Sequence, residues 1–383
     1  MAASLVVKGM TPEELYESQP YLRAAVDLYA RNVAQLPVHV YRRTEDDGRH
    51  RVRDHPVTRA IGYELMLRFV ADWALYDQAY MLAAYDANGD GLTLNSCPVS
   101  WITSTDGTPW QVGQYEVTPA NSSNHGADPI VVPAEYMVAV TGYQPGDPRF
   151  GVSRVDTLKN VLAEQISAET FRRQLWDNGG RVGAYLTRPH DAPKWSNEGR
   201  NRFKRGWQAE YTGDGKKVGG VPVLEDGMEL KRIGFSAKDE DYVEASKLAR
   251  QTIAAVYQLN PIALGDLDNA NYSNSKEFRQ AFVRDSLGPL LAQMQAAMNR
   301  TLAPWLKDGE YIEFNVEAKL SGAFEEQASV LASSVGAPYM TRNEARSRLN
   351  LPAIDSGNEL IVPLNLGTPE APAADSEVVP SAA

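Results

Sequence analysis

The chain of 383 residues predicts an α+β fold, with long helices and short antiparallel strands in separate stretches. Three patterns carry the prediction. Strand-like alternation is concentrated before Tyr143. Two helical stripes, one over Ser153–Asp177 and one opening at Ser236, enclose a compact strand–helix–strand segment. A third stripe, from Ser275 to Leu302, is interrupted by Gly288-Pro289. Apolar residues recurring at three- and four-residue steps share one face of a helix, whereas strict alternation places them on one face of a strand.

In chain order, Tyr21–Gln35 reads as a helix with Leu22, Ala25, Val26, Tyr29, Val33 and Ala34 inward. Leu36-Pro37 breaks it and Val38–Arg42 alternates as a strand. Asp46-Asp47-Gly48 supplies a tight turn to a returning strand at Arg49–Arg53. Tyr63–Tyr76 is helical, and Ala79–Tyr85 is a strand that feeds a turn at Asp86–Gly91. Short strands follow, among them Gln111–Val117 and Tyr136–Thr141. Ser153 then caps a helix with Asp156 at its third position and Val155, Leu158, Leu162, Ile166, Phe171 and Leu175 in one stripe; Gly179-Gly180 stops it.

Strands fit Val182–Thr187, Val221–Leu224 and Glu229–Phe235, with a basic helix at Ser196–Tyr211. The helix capped by Ser236 aligns Tyr242, Ala245, Ala249, Ile253 and Val256, and Asn260-Pro261 ends it, because a residue before proline avoids the α region. Gly265–Ser275 is a polar loop, and Phe278, Phe282, Leu287, Leu291, Met294, Met298 and Leu302 mark the next helix. Within that helix Pro289 lacks a backbone donor and clashes with the preceding turn, so a bend is expected at Gly288-Pro289. Tyr311–Val316 alternates, Phe324–Val335 is helical, and Thr341 with Glu344 forms a capping box that opens a short helix to Leu349. From Gly367 the composition of Pro, Ala, Ser and acidic residues predicts a disordered tail.

Composition, 43% hydrophobic and 23% charged, is that of a soluble globular protein with two or three domains. The single Cys97 excludes an intramolecular disulfide and fits a reducing compartment. No basic stretch leads into an apolar run at the start, so no signal peptide is expected. Phe69–Tyr85, the most membrane-like stretch, is interrupted by Asp72 and Asp77, so no membrane span is expected. A net charge of −11 argues against gripping nucleic acid with the whole surface. The charge is uneven, however: 16 Lys/Arg face 11 Asp/Glu between Arg154 and Lys238.

Catalytic and metal chemistry has little support. Asp86-x-Asn88-x-Asp90-Gly91 imitates the start of an EF-hand loop, but Cys97 stands where the bidentate Glu is needed. The five histidines (His39, His50, His55, His125, His190) lack metal-ligand spacing. Neither a Walker pattern nor a Gly-x-Ser-x-Gly elbow occurs. A hydrolase or nuclease-accessory role would need a convergent acid/base or metal set, and none is visible; no cofactor and no metal are expected. Arg200, Arg202, Lys204 and Arg205, with Lys216 and Lys217, form either a solvated face or an electrostatic patch for an acidic partner or DNA.

The ordered set AVDLYARNVAQLPVHVYRR from Ala25, LYDQAYMLAAYDANGDGLTLNSCPV from Leu75, FGVSRVDTLKN from Phe150, EASKLARQTIAAVYQLNPIALGD from Glu244 and TRNEARSRLNLPAIDSGNEL from Thr341 resembles the HK97-like portal proteins of tailed bacteriophages. The resemblance covers roughly Leu22 to Gly367. Two departures stand out: the family often has glycine where this chain has Asp77, and the usual Pro-Asn turn before the Tyr63 helix is missing.

The resemblance implies a non-enzymatic homo-oligomeric ring, normally a dodecamer, at one capsid vertex of the virion, assembled in the host cytoplasm. The ring would touch the major capsid protein, pass double-stranded DNA in packaging and ejection, and dock the terminase large subunit and a head–tail adaptor. Another oligomeric head–tail connector or adaptor is the alternative. By position, residues 1–150 would build the N-terminal wing, 151–180 and 236–265 the two stem helices, and 181–235 the clip carrying the basic patch. Residues 266–275 would form a DNA-facing tunnel loop with Asp266, Asp268, Asn269, Asn271, Tyr272 and Asn274. Residues 276–350 would form the kinked helix, with Gly288 and Pro289 at the bend, and the C-terminal wing; 351–383 would be a reduced crown and tail.

Overall fold

The computed structural model of the chain describes residues 2–43, 49–86, 91–119, 129–177, 184–191, 194–211, 224, 227–232, 239–266, 280–316, 331–336, 339–348 and 354–361. Helices and small antiparallel sheets divide between two compact units. One contains Met1–Gln35 and Ile61–Thr301; the other contains Leu36–Ala60 and Leu302–Ala383.

The larger unit opens with two short helices that the sequence reading did not anticipate, α1 (Ala2–Gly9) and α2 (Pro12–Ser18). The local signal for α2 was present in Thr-Pro-Glu-Glu. Thr11 Oγ1 accepts from Glu14 N–H, Glu14 Oε2 accepts from Thr11 N–H at 2.9 Å, and Pro12 occupies the first turn, where its missing donor costs nothing. Leu15 is fully buried. Helices α3 (Pro20–Ala34) and α5 (Tyr63–Tyr76; α4 belongs to the smaller unit) pack on each other, and the inward residues expected for α3 are all buried.

Strand β3 (Gln78–Tyr85) is central in an antiparallel sheet between β4 (Leu92–Cys97) and β8 (Met137–Thr141). A second sheet has the order β5 (Ile102–Gly107), β6 (Val112–Val117), β7 (Ile130–Pro133). Tyr80, Cys97, Tyr115, Val117, Val132 and Met137 from the two sheets form one apolar cluster, with the Tyr80 and Tyr115 rings edge to face at 5.4 Å. Burial pushes the Cys97 thiol up to about 11, so at neutral pH it is protonated and unreactive.

Helix α6 (Arg154–Asp177) starts as the sequence reading expected. Ser153 Oγ accepts from Val155 N–H at 3.2 Å and donates to the Leu75 carbonyl at 2.6 Å, which fixes the helix start against α5. Val155, Leu158, Leu162 and Ala163 are buried against the unit. Strands β9 (Ala184–Thr187) and β10 (Glu229–Arg232) pair antiparallel, and α7 (Asn197–Tyr211) lies between them in sequence. Helix α8 (Asp239–Val256) packs on α6, burying Ala249, Ile253 and Ala254. Ser236, expected to cap it, lies outside the described residues.

Helix α8 ends before Asn260-Pro261. The Leu259 N–H reaches the Ala254 carbonyl at 2.8 Å and the Gln258 N–H reaches the Ala255 carbonyl at 3.0 Å, with Gln258 at φ 53°. This is a Schellman stop built without glycine. Asn260 instead caps the next turn, accepting from Ile262 N–H at 3.0 Å.

The smaller unit holds the sheet β11 (Glu310–Phe314), β1 (Val38–Arg43), β2 (Arg49–Val52), all antiparallel, with α4 (Pro56–Ala60) beside β1. Val38, Val40, Ile312 and Phe314 are buried. The Glu310 side chain is 1% exposed and heavily bonded: its carboxylate accepts from Arg42 at 2.6 Å and from Lys307 N–H at 2.8 Å, and lies 3.4 Å from His55 Nε2. Burial alone would raise its pKa, but the Lys307 and Arg42 donors outweigh that and hold it below the usual carboxylate range. The expected turn Asp46-Asp47-Gly48 lies outside the described residues. Thr341 and Glu344 form the expected capping box, with bonds of 2.7 and 3.2 Å, at the start of a helix over Arg342–Arg348.

Candidate nucleic-acid and partner surfaces

Gly265 and Asp266 are anchored to α8 by two consecutive residues. Arg250 donates to the Gly265 carbonyl at 2.9 Å and Gln251 Nε2 donates to Asp266 Oδ2 at 3.0 Å. Gly265 has φ 87°, a backbone that an L side chain adopts only with strain. Asp266 is consequently 9% exposed. The sequence reading placed its carboxylate among the DNA-facing groups; the structure instead ties it back onto α8, as the base of the loop. Asp268, Asn269, Asn271, Tyr272 and Asn274 lie outside the described residues.

The chain re-emerges into a helix whose first part, Phe282–Leu287, is a π turn that runs into α9 (Gly288–Thr301). The Gly288 N–H bonds the Val283 carbonyl, five residues back rather than four. Pro289 follows at once and has no donor to return to an α ladder. Wide turns of this kind and prolines are the usual origins of helix bends. Ser286 Oγ donates to the Gln258 carbonyl at 2.7 Å, and the Phe282 ring meets Tyr29 edge-on at 5.5 Å. Tyr29 Oη donates to the Tyr257 carbonyl at 2.6 Å, and Tyr257 Oη donates to the Ala74 carbonyl at 2.9 Å. These bonds fasten the π turn, the end of α8, α3 and α5 together around a cleft of about 220 Å³ that Trp73, Arg154 and Pro289 also line.

Helix α7 separates into two faces. Phe203 and Trp207 are half-buried and stack in sequence with Trp195, at centroid distances of 4.9 and 5.8 Å. Arg200, Arg202, Lys204 and Arg205 are all exposed. Among the described residues no acid pairs with Arg200, Arg202 or Lys204, while Arg205 Nε donates to the Asn201 carbonyl at 3.4 Å. Lys216 and Lys217 lie outside the described residues.

Among the described residues no group of three or more His, Cys, Asp or Glu side chains is placed to hold a metal ion, and no helix is long and apolar enough to cross a membrane.

Comparison with known proteins gives a consistent result. An uncharacterized protein of Rickettsia bellii is 21% identical over 90% of this chain and 93% of its own length. An uncharacterized protein of Rickettsia felis is 25% identical over 58% of each chain, so the match spans little more than half of that relative. The portal protein of Escherichia phage T5 is 27% identical over 56% of this chain and 52% of its own length. In fold, the chain is similar to one in the neck of an empty gene transfer agent particle, with a TM-score of 0.63, 20% identity and coverage of 90% and 94%. It is also similar to an HK97-family phage portal protein from Corynebacterium diphtheriae, with a TM-score of 0.56, 15% identity and coverage of 80% and 95%. The family described as phage portal protein matches residues 20–350, most of the chain; the protein belongs to that family, which is structural rather than enzymatic.

Proposed function

We propose that this chain is the portal subunit of a phage-type particle: it assembles into a ring at one capsid vertex, and double-stranded DNA passes through the ring during packaging and ejection. The observation that carries this is the match over residues 20–350 together with the order of elements it spans, α6, the β9–α7–β10 insert, α8, a polar loop and a helix with a π turn. Two long helices that carry a small insert suit a stem with a clip at its tip, and the anchored loop suits a tunnel lining. Terminase large subunit and head–tail adaptor dock at the clip, residues 181–235, and the wing elements meet the major capsid protein. The loop beyond Asp266 faces DNA through Asp268, Asn269, Asn271, Tyr272 and Asn274, a polar set without lysine or arginine that touches phosphates without trapping them. Twelve copies is the expected number, the neck of a native gene transfer agent particle having been computed with C12 symmetry.

A head–tail connector of another kind is the alternative. Native mass measurement of the purified chain, followed by packaging assays with a terminase, separates the two. A ring that supports terminase-driven DNA uptake is the expected result; a ring that supports only tail attachment points to the connector.

A further inference from the structure

The exposed face of α7 carries more positive charge than the described residues around it balance. Asn197, Arg200, Asn201, Arg202, Lys204 and Arg205 are exposed on it, and among the described side chains of α7 Glu198 is the one exposed acid. The described aromatic side chains of the same helix are not available on that face: Phe203 and Trp207 are half-buried, and Phe203 packs against both Trp207 and Trp195. Arg188 adds a guanidinium 4.7 Å over the Trp195 ring. Protein-docking surfaces draw most of their affinity from a desolvated core of aromatic and aliphatic anchors. Among its described side chains this face offers none. It offers amide, ammonium and guanidinium donors along one helix, which suits the oxygen-rich, evenly charged surface of a phosphate backbone.

We propose that the Arg200–Arg205 face of α7 binds the backbone of double-stranded DNA by sequence-independent ionic contacts, and that it is not the surface that receives an acidic protein partner. The proposal rests on the portal reading and adds to it a cationic contact separate from the polar loop. Four cations per copy, repeated around a ring, form a collar whose contacts with phosphates, driven by counterion release, slow the DNA, whereas the loop beyond Asp266 carries no cation at all. Friction then resides in the clip.

The test uses the full-length assembled protein, a short duplex DNA of arbitrary sequence and, as a second probe, polyglutamate. Arg200→Gln, Arg202→Gln, Lys204→Gln and Arg205→Gln are combined; glutamine is a good helix former, so α7 is retained. Arg172→Gln with Arg173→Gln, exposed on α6, removes two cations elsewhere on the protein and serves as the control. The wild type is expected to bind the duplex with an affinity that falls steeply with salt. The α7 variant should assemble normally and lose affinity at least tenfold at low salt, with a log–log salt slope shallower by about 0.9 for each phosphate contact removed. The α6 control should bind as wild type does. Unchanged duplex affinity in the α7 variant overturns the proposal, as does absence of duplex binding by wild-type rings. Loss of polyglutamate binding alone also overturns it and assigns the face to an acidic protein. The portal reading fails separately, if no ring forms.

Discussion

The Asp77 carboxylate lies 2.9 Å from the Arg154 guanidinium, and that guanidinium lies 3.9 Å from the centre of the Trp73 ring. Asp77 ends α5 in the left-handed region at φ 56°, where glycine is the residue without penalty. Its carbonyl accepts from Gly142 N–H at 2.7 Å; a Cβ on Gly142 would overlap the Asp77 carboxylate and a Cβ on Gly151 would overlap its carbonyl, so the chain closes around Asp77 at two glycines. An aspartate at a glycine-type position is thus held by a partner at the first residue of α6.

Asp77→Gly removes the ion pair but relieves the backbone, so its cost should stay below about 1 kcal/mol. Asp77→Ala removes the pair and keeps the unfavourable φ, costing about 1–2 kcal/mol more. Arg154→Met leaves a largely buried carboxylate unpaired and should cost about 1–3 kcal/mol. Denaturant melts of the three variants check the ranking; Asp77→Gly as the most destabilising of the three would contradict it.

Among the described residues Asp72, on α5, has no such partner. Burial, with Glu13 nearby, raises its pKa to about 7. A carboxylate whose folded pKa exceeds its unfolded value stabilises the protein most below the unfolded value and loses that stability as pH rises through the folded one. The advantage of Asp72→Asn over wild type should therefore be small near pH 4, grow by at most about 1.4 kcal/mol per pH unit, and level off above pH 7. Thermal melts from pH 4 to 8 read this directly; a constant difference would show that the Asp72 site is well solvated.

Gly288→Ala with Pro289→Ala restores a donor at position 289 and favours an unbroken α ladder over the π turn. A Cβ at position 288 meets only the Val283 carbonyl, at an ordinary 3.6 Å, so steric overlap is not the cause of any effect. Helix content should be unchanged while the assembled fraction falls, because the direction of the segment entering α9 changes. Native mass measurement beside far-ultraviolet dichroism checks both quantities.

The strongest elements were legible because local and tertiary signals agree in them. Tyr63–Tyr76, Ser153 as a cap, and Thr341 with Glu344 were read from periodicity and capping chemistry, and the same residues are buried or bonded as expected. At the end of α8, Asn260-Pro261 looks like the stop, whereas backbone bonds from Gln258 and Leu259 close the helix first, in a motif whose usual glycine is absent. Asp266 looked like a loop carboxylate because nothing local marks Gln251, fifteen residues earlier, as its donor. The π turn has no sequence signature beyond the proline that follows it.

The two loop aspartates should now behave differently. Asp266→Lys breaks the bond to Gln251 and buries a cation, so it should lower thermal stability and assembly. Asp268→Lys should leave stability unchanged and slow packaging, more at low salt where screening is weak. Melting temperature and packaging rate, measured on both, separate an anchor from a channel-facing group; equal melting temperatures would contradict the anchor.

Truncation after Gly367 removes Pro, Ala, Ser and acidic residues with little apolar surface, so the copy number should not change. Dissociation of the truncated protein into monomers, by native mass measurement, would place an assembly contact in the tail.

Electron microscopy of the purified full-length chain tests ring formation most directly. End-on views should show closed rings with a central hole and, in side view, a narrower stem projecting from a broader body. Monomers at all concentrations, or assemblies without a central hole, would contradict a DNA-conducting portal.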